Sequence, residues 1–124
     1  MQFLMTINID ESLMAQLPAS EFDELMRGCL SHADELRRDG KLLGSQQLES
    51  PKTAKTLRVR DGTAQIVDGP FAETKELLAG FNLIQARDIN EAVRIAQGFP
   101  WARYGAVEVR PVHDMDAERR RVGV

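Results

Sequence analysis

Cysteine is nearly absent from this 124-residue chain: Cys29 stands alone, so no disulfide can form within it. No Cys-x-x-Cys pair and no second histidine at helical ligand spacing offers a structural zinc site. An excess of one charge is missing too. The 16 basic and 19 acidic residues leave a formal net charge of −3, without the basic stripe that nucleic-acid binding draws on. No apolar run reaches the ~18 residues of a membrane-spanning helix, and no start segment has the layout of a secretory signal. A cytoplasmic protein with no nucleic-acid and no membrane partner is therefore expected. Gly-x-Gly-x-x-Gly and Walker patterns are also lacking, so no cofactor is expected.

What remains is the composition of an ordinary globular domain, 43% hydrophobic and 28% charged. No long linker, repeat or low-complexity stretch divides it. Residues 1–112 read as one domain and residues 113–124 as a tail. In that tail Arg119-Arg120-Arg121 follow Asp114, Asp116 and Glu118, which offset their field, and a frayed end is expected.

Phe3, Met5 and Ile7 alternate with polar neighbours, the period of a strand with one buried face. Ser20 is expected to cap a helix whose buried stripe is Phe22, Leu25, Met26, Cys29, Ala33 and Leu36. Arg37 and Arg38 suit its last turn, and Gly40 can end it. Lys41 to Leu48 reads as a second strand. Asp61-Gly62, the preferred pair for a type I′ turn, predicts a hairpin between 55–60 and 63–68. Its register sets Leu57 opposite Ile66 and Val59 opposite Ala64 on one face, with Arg58 facing Gln65 on the other. Residues 72–78 are ambiguous between a helical turn and irregular backbone. Gly80 to Ala86 reads as a strand. Asp88 and Glu91 form a capping box for a helix with the stripe Ile89, Ala92, Val93, Ala96 and Phe99, ended by Gly98 and Pro100. Tyr104 to Val109 makes the last strand.

With the hairpin set aside, the order is βαββαβ, the ferredoxin-like split βαβ arrangement of an α+β protein. Two helices cover one face of such a sheet, and pairing of two copies through the other is the simplest way to cover it. That pairing would enclose a cavity.

The run Asp68-Gly69-Pro70-Phe71-Ala72-Glu73-Thr74-Lys75-Glu76 resembles the signature of the DGPF proteins, a branch of the YCII-related superfamily. The segment from Ala102 to Pro111 is similar to that branch's closing strand, and Gly40 to Gly44 to its segment after the first helix. The likeness runs from about Met1 to Val112. It implies a ferredoxin-like homodimer forming a dimeric α/β barrel. Many such proteins are encoded beside extracytoplasmic-function sigma factors, which makes a sigma factor a partner to consider. In the wider superfamily a first-helix histidine and an aspartate before a proline have been proposed as a catalytic pair. Here Cys29 falls near the histidine position, with His32 one turn later, and Phe99 precedes Pro100, so that pair does not carry over.

Asp68 and His32 are the catalytic candidates. An aspartate ending a strand before Gly-Pro can fix its own turn, or it can serve as ligand anchor or general base. His32, at the margin of the apolar stripe, is either a packing residue or an acid–base group. Glu73, Lys75 and Glu76 form a mixed-charge group that is either a salt-bridged face or a ligand-binding one. Arg103 and Tyr104, with Trp101, can line a pocket or stack in a dimer interface. Cys29 reads as an inert core thiol. Two functions compete: binding or cofactor-independent acid–base chemistry on a small molecule in the dimer cavity, and an accessory role beside a sigma factor.

Overall fold

The computed structural model describes residues 1–124. Its elements in chain order are β1 (Gln2–Asp10), α1 (Glu11–Met14), α2 (Ala19–Arg38), β2 (Leu42–Gln47), β3 (Lys55–Arg60), β4 (Thr63–Asp68), β5 (Glu76–Gln85), α3 (Ile89–Gln97), β6 (Gly105–Pro111) and α4 (Met115–Val122). Short 3₁₀ turns sit at Pro51–Thr53 and Pro100–Tyr104.

Four strands form one antiparallel sheet in the order β2-β5-β1-β6, the strand order of a split βαβ fold. Alternation along β1 and β5 sorts the side chains. Phe3, Met5 and Ile84 share one face and are fully buried. Packed with them are Ala33 and Leu36 of α2, Ala92, Ile95 and Ala96 of α3, and Leu42, Phe99 and Trp101. The other face carries Leu4, Phe81 and Leu83, each partly exposed.

The hairpin forms with the register expected, Leu57 opposite Ile66, Val59 opposite Ala64 and Arg58 opposite Gln65. Asp61 and Gly62 take φ of 52° and 74°, the two left-handed residues a type I′ turn requires. The hairpin forms its own two-stranded sheet and pairs with no strand of the larger one. Its apolar face is consequently in solvent, with Leu57 64% and Ile66 68% exposed.

Asp88 caps α3 as expected, accepting from the Glu91 backbone N–H at 2.8 Å. The stripe of α3 is rotated from the one expected: Ile95 is buried, whereas Ile89 and Val93 are exposed. Ser20 does not cap α2. The helix begins one residue earlier, at Ala19, behind Pro18, and no side chain caps it. Pro18 stands one position ahead of the first helical residue with φ already near −60°, so the start is set by ring geometry.

The expected frayed tail is a helix. Asp114 caps α4, accepting from Asp116 N at 3.0 Å and Ala117 N at 3.1 Å, and Gly123 closes it in the left-handed conformation. Asp116 and Glu118 lie in its first turn and the three arginines in its last, the order the helix dipole favours. Arg121 also pairs with Glu118.

Candidate functional site

The burial of α2 changes along its length. Ala33 and Leu36 near its C-terminus are buried, whereas Phe22, Leu25, Met26 and Cys29 are only partly so. The helix is close-packed at one end and stands off the sheet at the other. Beneath the raised end the strands carry small residues: Ser45 on β2, and Ala79 and Gly80 on β5. Here β5 also bulges. Ile7 pairs with Gly80 and Asn8 with Leu78, so Ala79 is an extra residue opposite β1.

The result is a cavity of about 420 Å³ between α2 and the sheet. Ile7, Ile9, Met14, Phe22, Met26, Leu77 and Trp101 make it largely apolar. Ser45, Gln46, Gln47, Ser50 and Asn82 give it polar points, and Glu11 and Glu49 its charges. Trp101 is buried, its ring centroid 6.5 Å from that of Phe22.

Asn82 is the unusual member of this lining. It sits on an interior strand, paired with Met5 on one side and Ser45 on the other, and is 3% exposed. Its side-chain Nδ2 donates to Met5 Sδ at 3.5 Å, a weak acceptor. Its Oδ1 accepts nothing from the protein, yet no fully buried side-chain polar atom lacks a partner. That oxygen is therefore open to the cavity. Its amide nitrogen meets only sulfur, a poor substitute for a polar acceptor, and departures of this kind gather at functional sites.

Cys29 also lines the cavity. Burial pushes its thiol above the ordinary range, partly offset by Trp101. The thiol is protonated at neutral pH and a poor nucleophile.

At the end of β1, beside Ile9 and Glu11, Asp10 holds a second polar group. Its carboxylate accepts from Ser12 Oγ at 2.6 Å and Ser12 N at 2.9 Å, capping α1. Lys75 Nζ lies 3.6 Å from its other oxygen. The Ser12 hydroxyl holds the carboxyl below the usual aspartate range; burial opposes the shift, and the Ser12 amide and Lys75 support it. Asp10 is thus an ionised carboxylate with its partners already in place. The segment Asp10-Glu11-Ser12 carried the signal, since an aspartate readily bonds the N–H two residues on.

The residues expected to carry chemistry lie elsewhere, and none lines the cavity. Asp68 closes the hairpin, pairing with Lys55 at 2.6 Å, with its side chain 84% exposed. It is not in a buried setting. Glu73 and Glu76 are exposed, and of the mixed-charge group only Lys75 turns to a protein carboxylate, that of Asp10. His32 packs edge-on against Phe99 at 4.7 Å, with Nε2 3.5 Å from the Ile95 carbonyl oxygen. Arg103 and Tyr104 border a separate surface depression between α2 and the Pro100–Tyr104 turn, shared with Glu21 and Glu24. The structure therefore brings Lys75 to Asp10 and leaves Asp68, His32 and Arg103 apart.

Residues 1–116 match the YCII-related domain. An uncharacterised protein of Rhizobium meliloti (strain 1021) is 36% identical over 105 residues, covering 83% of this chain and 85% of that protein. Among solved structures, the chain is similar to 5-chloro-2-hydroxyhydroquinone dehydrochlorinase from Burkholderia phenoliruptrix AC1100, determined in complex with 2,5-dihydroxybenzoquinone. The TM-score is 0.52 at 16% identity, covering 94% of this chain and 98% of that one. At that identity the likeness concerns the fold.

Proposed function

The chain belongs to the YCII-related family, and within it we propose a small-molecule-binding protein whose site is the cavity between α2 and the sheet. The DGPF branch is our finer placement, resting on the block from Asp68 to Glu76. The observation that carries the functional reading is Asn82: a 3% exposed amide with one weak protein partner, set in an apolar cavity of about 420 Å³. That volume lies within the ~300–1,000 Å³ typical of ligand sites, where a few placed polar groups orient an apolar body. The fold's occurrence in an enzyme that handles a small ring compound agrees with this reading. A protonated Cys29 favours binding or acid–base work over covalent catalysis. The sigma-factor alternative has no feature of the fold behind it.

Trp101, the single tryptophan, lines the site and reports on it. A screen of small alcohols, amines, acids and lactones should find compounds that raise Tm and change Trp101 fluorescence together. A ligand at one hundred times its Kd adds about 2.7 kcal/mol. Asn82→Leu should keep or raise the Tm of the free protein, because it removes a poorly satisfied buried polar group, while weakening every hit. Hits that bind Asn82→Leu as tightly, or a screen with no hits, would overturn the reading.

A second copy of the chain is our proposed cover for the hairpin. A lone two-stranded hairpin is marginal in water, and one apolar face exposing Leu57, Val59 and Ile66 is what a two-fold, self-complementary contact uses. Sedimentation velocity should show a dimer that Leu57→Lys with Ile66→Lys converts to monomer at unchanged helicity. A monomeric parent chain would count against it.

A further inference from the structure

The charges around the cavity are of one sign. Glu11 and Glu49 are the charged residues of its lining, and no lysine, arginine or histidine is among them. Of the nearby cations, Lys75 pairs with Asp10, and Lys52, next to the lining residue Pro51, lies outside the lining and is exposed, as Glu11 and Glu49 at the rim also are. Of the polar lining residues, Asn82 is the buried one, Ser45 is half-buried and Gln46 and Gln47 are exposed; the Asn82 oxygen is an acceptor.

Resting on the reading of this cavity as a ligand site, we infer that it selects by charge and takes an amphipathic amine. The preferred ligand has an apolar body and a cationic or hydroxyl head, and carboxylates, phosphates and sulfates are rejected. Two independent features lead there. An anion entering this space would be desolvated with no cation to meet it, a cost far larger than that of a neutral group. An ammonium gains from Glu11 and Glu49 instead. The Asn82 oxygen also needs a donor, which an ammonium or hydroxyl supplies and a carboxylate does not. The preference runs opposite to that for an acidic ligand, so it separates this site from others that one fold can carry.

Three probes of one shape test the inference on the full chain at neutral pH: 4-phenylbutylamine, 4-phenylbutanol and 4-phenylbutyrate, each followed by Trp101 fluorescence and by Tm. The amine should bind most tightly, with the alcohol next. The butyrate should be weaker than the alcohol by about tenfold or more, the factor that corresponds to ~1.4 kcal/mol. Glu11→Gln combined with Glu49→Gln should bring the amine down to the level of the alcohol. Butyrate binding as tight as the alcohol would overturn the charge preference and leave the cavity reading standing. No saturable response to any of the three would overturn the cavity reading itself.

Discussion

Gly105→Ala lowers the stability of this fold by about 3 kcal/mol or more, at the upper end of what overpacking costs. The residue opens β6 directly opposite Ile9 of β1. A Cβ added there would run into the Asn8 carbonyl oxygen and stand 2.9 Å from Ile9 Cα. Both obstacles are backbone, and both belong to an interior strand tied on its two sides, so neither can swing away as a side chain would. The backbone itself is extended, with φ of 161°, and the cost arises from space alone. Gly28→Ala provides the control. It lies inside α2 with nothing within 4 Å of an added Cβ, and there alanine should stabilise by roughly 0.5–1 kcal/mol through helix propensity. Denaturant midpoints of the two variants should move in opposite directions. A Gly105→Ala midpoint equal to that of the parent would mean that β6 does not lie against β1 in this register.

Ile84→Ala should cost ~2–5 kcal/mol, the range for truncating a fully buried aliphatic side chain. Ile84 is 0% exposed and pairs with Phe3 on one side and Leu42 on the other. It is thus the centre of a row of apolar residues running across three strands. The close-packed end of α2 and the buried stripe of α3 belong to the same core, which leaves little room for the neighbours to collapse into the gap. Chemical denaturation with an unchanged m-value would register the loss as stability alone. A cost below about 1 kcal/mol would place Ile84 outside the core.

Much of the fold was legible because its signals were local. Asp61-Gly62 specified both turn type and register, and Asp88 with Glu91 marked the start of α3 within four residues. Alternation in β1 named Phe3 and Met5 correctly. What was missed was of two kinds, caps with no long apolar period behind them and helix faces set by partners far away in the chain. Both α1 and α4 begin at aspartates, Asp10 and Asp114, that bond N–H groups two residues on, yet neither precedes a long apolar period that would have drawn notice. Val93 and Ile95 are equally apolar, and only the tilt of α3 on the sheet decides which is buried.

The site was harder to read. Ionisable residues cluster between Asp68 and Glu76, and sequence reasoning naturally gathered chemistry there. In space that stretch joins the hairpin to β5 and remains at the surface. The cavity instead comes from a bulge at Ala79 and from the gradual lifting of α2, which no short window contains. Asn82 reads locally as one polar residue in an alternating strand. It becomes informative once β5 is known to be interior and its helix-facing side to be buried.

The hairpin has a consequence for how such a chain can change. Its two ends are adjacent, with Gly69 N donating to the Ala54 carbonyl at 2.7 Å, and its ladder is self-contained. Residues between those ends can therefore be exchanged, shortened or lengthened without shifting the register of the four-stranded sheet or touching the residues that line the cavity. Selection on the hairpin and selection on the cavity lining act on separate stretches of sequence, so descendants of one ancestor can keep either while the other changes.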